Sequence, residues 1–444
     1  MKKKMLSFLL VIVLCIGVTN VDAFASESDV SKPLIGIAWR ADTDSEFYTN
    51  ICLAIEKAGG NWILLSQVKS ADLKYDKNGK LKKGVAKTGA LTNAAGKLIR
   101  NNTWYGSNAA EAVADVDAVV FTGGEDISPS LYYKQKKWHG IEEELDYNAE
   151  RDVSDYLTMT YCLDMDIPIL GSCRGMQLLG VVSGSEVIQD IPTYFESIGV
   201  EYNYEHRNVK ATPDSYRDYA SHDVIIAKKS HLYNIVGKTK LTGCPSWHHQ
   251  ALLNVDDTRL KVTGSVNING VEMIEAVERT DKTFALGIQF HPEVSVNKNV
   301  NNIDNADEYM SMKKAMKFFK YLLAEASEYR ARKNADAEKF TDVQYVLYLG
   351  TNDKDTNEPV FSPEEAKEKA KEILLKHFGG YTIMEADGGW IDGDIVYKEY
   401  TLVIYLSDTD EESIHKVSDE LIKVFNQSAI MIQANPTKTE FYGG

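Results

Sequence analysis

The apolar run Ile167-Pro168-Ile169-Leu170 enters Gly171-Ser172-Cys173-Arg174-Gly175, and a helix-like segment, Met176 to Val182, leaves it. A buried strand that turns at once into a helix, with Gly on both sides of the turn, is the context of a nucleophile elbow in an α/β sheet. The sharp turn lifts one side chain, Cys173, above the end of the sheet. The helix N-terminus behind it favours an anionic sulfur. A Cys at a strand end can equally pack as a small hydrophobe, so this motif alone leaves both readings open.

A second element separates them. Phe284 to Phe290 reads as an apolar strand that ends in His291-Pro292-Glu293. In an extended segment, residues i and i+2 face the same side. His291 is then placed to act as a base toward Cys173, with Glu293 orienting the imidazole, the arrangement of covalent catalysis. A third element is Thr122-Gly123-Gly124, which follows the strand Asp117 to Phe121. Backbone N–H groups of Gly123 and Gly124, with that of Arg174, can form an oxyanion hole.

The surrounding pattern alternates strands and helices. Leu34 to Ala38, Trp62 to Leu65, Asp117 to Phe121 and Ile167 to Gly171 read as short buried strands; Glu46 to Ala58 and residues 148–165 read as helices. Near-continuous apolar strands separated by helices predict a doubly wound, mostly parallel α/β sheet. Its ligands bind beyond the carboxyl ends of the strands. The Lys-, Gly- and Asn-rich stretch from Lys69 to Asn108 shows little apolar periodicity and reads as an insertion, either a flap near the site or a solvated loop. With a net charge of −16, the chain is a poor match to nucleic acid.

Gly171-Ser172-Cys173-Arg174-Gly175-Met176-Gln177 and His291-Pro292-Glu293 resemble the class I glutamine amidotransferase fold. Phe121 to Pro129, Arg151-Asp152, Gln189-Asp190-Ile191 and Ser246-Trp247-His248-His249-Gln250 make the chain most similar, within that fold, to gamma-glutamyl-gamma-aminobutyrate hydrolases and gamma-glutamyl hydrolases. The resemblance spans about Pro33 to Leu323. It implies hydrolysis of a γ-glutamyl amide through a thioester on Cys173, with His291 as base and then acid. It also implies that Gln177, Arg174, His248, His249 and Gln250 bind the glutamyl head group. Leu179 to Ser185 departs from the family pattern of an Asn and a Gly-Gly-Thr. A glutaminase that passes ammonia to a synthase, or a non-catalytic binding protein, is the alternative on the same fold.

At the N-terminus, Lys2 to Lys4, the apolar run Leu6 to Val18 and Ala23-Phe24-Ala25 have the layout of a secretory signal over residues 1–25. The expected location is therefore extracytoplasmic, with no stable membrane span after cleavage. The expected organisation is a hydrolase domain over 31–333 with its insertion at 69–108, a linker at 334–342, and a smaller domain at 343–444. In the last, strands and helices follow the order βαββαβ of a ferredoxin-like α+β fold. Ser362-Pro363-Glu364-Glu365 reads there as a capping box. No cofactor is expected. No metal is expected either, because the nine His lack spacing such as H-E-x-x-H. The expected partner is a small γ-glutamyl substrate, with no nucleic acid; a homodimer and a partner for the C-terminal domain are left open.

Overall fold

The structure, a computed structural model, describes residues 31–134, 139–204, 206–208, 218–255, 258–339, 342–392 and 395–440. The expected signal segment, 1–25, lies outside the described residues. The chain divides into two compact units at Arg330 and Ala331.

The first unit is built on a nine-stranded sheet. In chain order its elements are β1 (Leu34–Ile37), α1 (Glu46–Ala58), β2 (Asn61–Leu64), α2 (Asn93–Asn102), α3 (Ala109–Ala112), β3 (Ala118–Phe121), α4 (Ala149–Asp164), β4 (Ile169–Ser172) and α5 (Arg174–Ser183). There follow β5 (Glu186–Ile188), α6 (Ile191–Ser197), β6 (Ala220–Ile226), α7 (His231–Val236), β7 (Lys240–Ser246), β8 (Ala251–Leu253), β9 (Leu260–Ile268), β10 (Val271–Arg279), β11 (Ala285–Ile288), α8 (Pro292–Val300) and the first part of α9 (Met312–Lys339), which runs past the division. The sheet runs β2-β1-β3-β4-β11-β10-β9-β6-β7. From β2 to β11 every pairing is parallel; from β11 to β7 every pairing is antiparallel. The α/β sheet is thus mixed, and its parallel half carries the elbow. Strands β3, β4 and β11 are buried along their whole length, so burial of both faces explains their continuous apolar sequence.

Two apolar clusters cover the two faces. One gathers α2, α4 and α5 residues such as Ile99, Tyr156 and Leu178; the other gathers α1 and α9 residues such as Ile51, Phe318 and Leu322. The 69–108 stretch is therefore no flap. Leu91, Ala95 and Ile99 enter the core, and α2 starts where the Thr92 hydroxyl accepts from the Ala95 N–H. The Leu91 N–H donates to Ser128 Oγ at 2.8 Å, which ties this stretch to the loop after β3.

The second unit has β12 (Asp342–Gly350), α10 (Pro363–His377), β13 (Thr382–Asp392), β14 (Ile395–Leu406), α11 (Glu411–Val424) and β15 (Met431–Thr437). Its sheet order is β13-β14-β12-β15, with every pairing antiparallel. That is the expected βαββαβ arrangement. The capping box at Ser362 and Glu365 forms as predicted. The segment expected as a linker from 334 is helical through Lys339, as part of α9. Its Ala, Glu and Lys residues favour helix even where no apolar stripe is present.

Candidate active site

Cys173 stands at the junction of β4 and α5 with φ 51° and ψ −106°. This is a strained conformation for a residue with a side chain, and such strain collects at functional sites. Its N–H donates to the Ile288 carbonyl at 2.8 Å, which registers the elbow against the end of β11. Gly175 lets the helix come this close to β3, because a Cβ there would lie 2.3 Å from the Phe121 carbonyl oxygen. The sulfur side chain is 6% exposed and lines a cavity.

His291 and Glu293 follow β11. They do not lie on an extended segment, as the sequence suggested. His291 is the N-cap of α8, and Pro292 and Glu293 begin its first turn. Pro is favoured at that first helical position. The pairing survives the change: His291 Nδ1 is 2.6 Å from Glu293 Oε1. Burial works against the charged imidazole, but Glu293 and Cys173 outweigh it and raise the His291 pKa to about 10. The Nε2 side of the ring is therefore available to hold and return a proton at the sulfur.

The loop after β3 is fixed by buried arginines. The Gly123 carbonyl accepts from Arg40 Nη1 at 3.0 Å and from Arg151 Nη2 at 2.8 Å. A peptide group is planar and trans, so the Gly124 N–H points away from these guanidinium groups. Gly124 lines the same cavity as Cys173. A Cβ at Gly123 would lie 2.8 Å from His291 Cε1, so only Gly fits there. Arg151 also binds Glu125, and with Arg40 it overrides burial to hold the Glu125 carboxyl well below its usual range.

The cavity has a volume of about 110 Å³. Of the expected substrate-binding residues, Gln177, His248, His249 and Gln250 line it. Arg174 does not. Its guanidinium donates to Asp152 at 2.6 Å and to Asp155, and all three side chains are buried. Arg174 is thus a structural cation that ties α5 to α4, and only its backbone N–H remains a candidate for the oxyanion hole. Sequence reasoning missed Glu144, Asp146 and Arg207, which also line the cavity. Arg207 grips Glu144 through two bonds of 3.0 and 3.1 Å. His249 lies between Asp126 at 3.3 Å and Asp190 at 3.4 Å. Against the effect of burial, these two carboxylates raise its pKa to about 9. Burial, helped by the nearby Glu125 and Asp126 carboxylates, pushes the Asp146 carboxyl up. Charge of both signs therefore meets in one small cavity whose floor is a Cys beside a His–Glu pair.

Comparison with known proteins gives the chain's relatives. A family model described as Peptidase C26 matches residues 83–293. Protein NtpR of Enterococcus hirae is 32% identical over 187 residues, which cover 42% of this chain and 71% of that protein. Glutamine amidotransferase-like protein RP404 of Rickettsia prowazekii is 31% identical over 217 residues, 43% of this chain and 73% of that protein. A gamma-glutamyl-gamma-aminobutyrate hydrolase of Escherichia coli O157:H7 is 27% identical over 179 residues, 40% of this chain and 64% of that protein. The chain belongs to the class I glutamine amidotransferase-like hydrolases of the peptidase C26 family.

Proposed function

We propose that the protein hydrolyses γ-glutamyl amides by a Cys173–His291–Glu293 mechanism. The observation that carries this reading is the position of Cys173, strained at the elbow and opening into a cavity walled by both anions and cations. The Cys173 thiolate attacks the side-chain carbonyl of the substrate. The N–H groups of Gly124 and Arg174 take up the charge on the oxygen, with Gly123 shaping the loop beside them. His291 then gives its proton to the departing amine, which leaves a thioester. Acylation removes the negative charge at sulfur, one of the groups that hold the proton on His291. The imidazole can then take a proton from water, and the attacking hydroxide releases glutamate and the free thiol.

The cavity is far smaller than the roughly 300–1,000 Å³ of a drug-sized ligand pocket. It fits a glutamyl head group and leaves the amine portion of the substrate outside. In this reading His249 and Arg207 meet the α-carboxylate, and Asp146 meets the α-ammonium. Gln177, His248 and Gln250 shape the wall between them. The layout of residues 1–25 further supports an exported enzyme. No helix among the described residues is long and apolar enough to cross a membrane.

The test is a panel of γ-glutamyl amides incubated with wild type and with Cys173→Ala. Glutamate release by wild type alone is expected. Equal release by both would remove Cys173 as nucleophile, and ammonia release from glutamine alone would favour the amidotransferase alternative.

A further inference from the structure

Beside the cavity, four buried side chains converge from separate segments: His206, His222 on β6, His248 after β7, and Glu275 on β10. One ligand atom from each lies within 4.8 Å of all the others. The three Nε2 atoms surround a single carboxylate: His206 at 3.2 Å and His248 at 3.7 Å from Oε1, and His222 at 3.5 Å from Oε2. In a tetrahedral site with metal–ligand bonds of about 2.0–2.1 Å, neighbouring ligand atoms are about 3.3 Å apart. The three nitrogen–oxygen separations lie within a few tenths of an ångström of such an edge.

The hydrogen bonding of the rings points the same way. His248 Nδ1 is 2.7 Å from the Gln250 carbonyl oxygen. A carbonyl only accepts, so Nδ1 carries the proton and the neutral ring turns the lone pair of Nε2 toward Glu275. Two acceptors then face each other, an arrangement that a proton or a metal cation between them relieves. His206 Nδ1 is 3.0 Å from the Tyr202 hydroxyl, so the outer nitrogen of a second ring is also held by a polar partner. Outer-shell contacts of this kind orient metal-binding imidazoles. Among the described residues, His222 Nε2 and His248 Nε2 have no hydrogen-bond partner. Sequence spacing could not reveal this group, because no two of its members lie within one helical turn.

We propose that His206, His222, His248 and Glu275 form a closed, structural site for a first-row divalent metal ion of the zinc type. Three imidazoles and one carboxylate suit such an ion, and four protein ligands complete a tetrahedral shell with no position left for substrate. The ion would fasten β6, β10 and the His248 wall of the cavity to one another. It would act on substrate binding through the position of that wall, not through the reacting atoms.

The test loads metal-stripped full-length protein with Zn(II) or Co(II) and measures bound metal after gel filtration. One equivalent per chain is expected, with the intense visible bands of four-coordinate Co(II) and a higher Tm in Zn(II) than in chelator. Cys173→Ala should retain the equivalent, whereas His222→Ala and Glu275→Gln should lose it. Wild type and Cys173→Ala decide the matter even if the cluster variants fail to fold. No stoichiometric uptake by wild type would overturn the proposal and leave a hydrogen-bonded His–Glu cluster. Loss of uptake in Cys173→Ala, or full uptake in both folded cluster variants, would overturn it by moving the ion elsewhere.

Discussion

His291 Nδ1 lies 2.6 Å from Glu293 Oε1 across the turn that joins β11 to α8. Glu293 therefore fixes which imidazole nitrogen faces Cys173, and it supports the charged ring. Glu293→Gln keeps the shape and removes the charge. We expect kcat to fall by up to about 10⁴-fold, the loss seen when a triad carboxylate becomes an amide. The His291 pKa is raised from 6.5 to about 10 in the folded chain. Its contribution to stability is then full below about pH 6.5 and is lost as pH rises through about 10. The Tm deficit of the variant should therefore be largest at about pH 6.5 and shrink as pH rises toward 10. A deficit that does not vary with pH would contradict the ion pair.

Alkylation discriminates among the thiols. Cys162 and Cys244 are fully buried, and burial raises their thiol pKa values; it raises that of half-buried Cys52 to about 12. Cys173 lines the cavity beside an imidazole that holds a proton. Iodoacetamide near pH 7 should label Cys173 first, and peptide mapping reads the site. Faster labelling of Cys52 would count against an activated nucleophile at the elbow.

Arg174 was a substrate-binding candidate on resemblance, and the structure gives it a different task. Its guanidinium faces Asp152 and Asp155 in the interior. Arg174→Leu leaves two buried carboxylates without that partner, a loss of about 3–5 kcal/mol for a broken buried pair. Burial already pushes the Asp152 carboxyl up to about 6 against the pull of Arg174. The penalty should therefore be greatest above pH 6 and shrink below it, where Asp152 can take a proton. Urea unfolding at pH 5 and pH 8 measures the difference. A folded variant of unchanged stability with a raised KM would restore the binding role.

What the sequence displayed was local. Ser362 caps α10 in the box that its spacing to Glu365 marks, and the apolar runs of β3, β4 and β11 mark strands buried on both faces. The elbow and the His291–Glu293 pairing were legible for the same reason, since each lies within a few residues. The α2 helix was not, because its buried face is only Ala95, Gly96 and Ile99, too thin a stripe to stand out in a polar stretch. Nor was the start of α8, where Pro292 marks a first helical turn although the apolar run before it reads as a strand continuing into His291. The partners of Arg174 and the cavity residues Glu144, Asp146 and Arg207 come from distant segments. Only the folded chain brings them together, and periodicity carries no trace of such contacts.

His249 tests the head-group reading most directly. It is charged near neutrality because Asp126 and Asp190 raise its pKa to about 9 despite burial. A substrate carboxylate beside it gains a charge-assisted bond worth about 1.5–3 kcal/mol. His249→Asn should therefore raise KM by about 10–100-fold while kcat changes much less, since the ring does not touch the reacting atoms. In wild type, loss of the His249 proton should raise KM as pH passes about 9. The loss of the His291 proton near 10 should then cut the rate of acylation, because the leaving amine has no acid to protonate it. Steady-state profiles from pH 6 to 10.5 would resolve the two steps. A KM that stays flat through pH 9 in wild type would assign His249 to holding the loop between Asp126 and Asp190, with no part in capturing substrate.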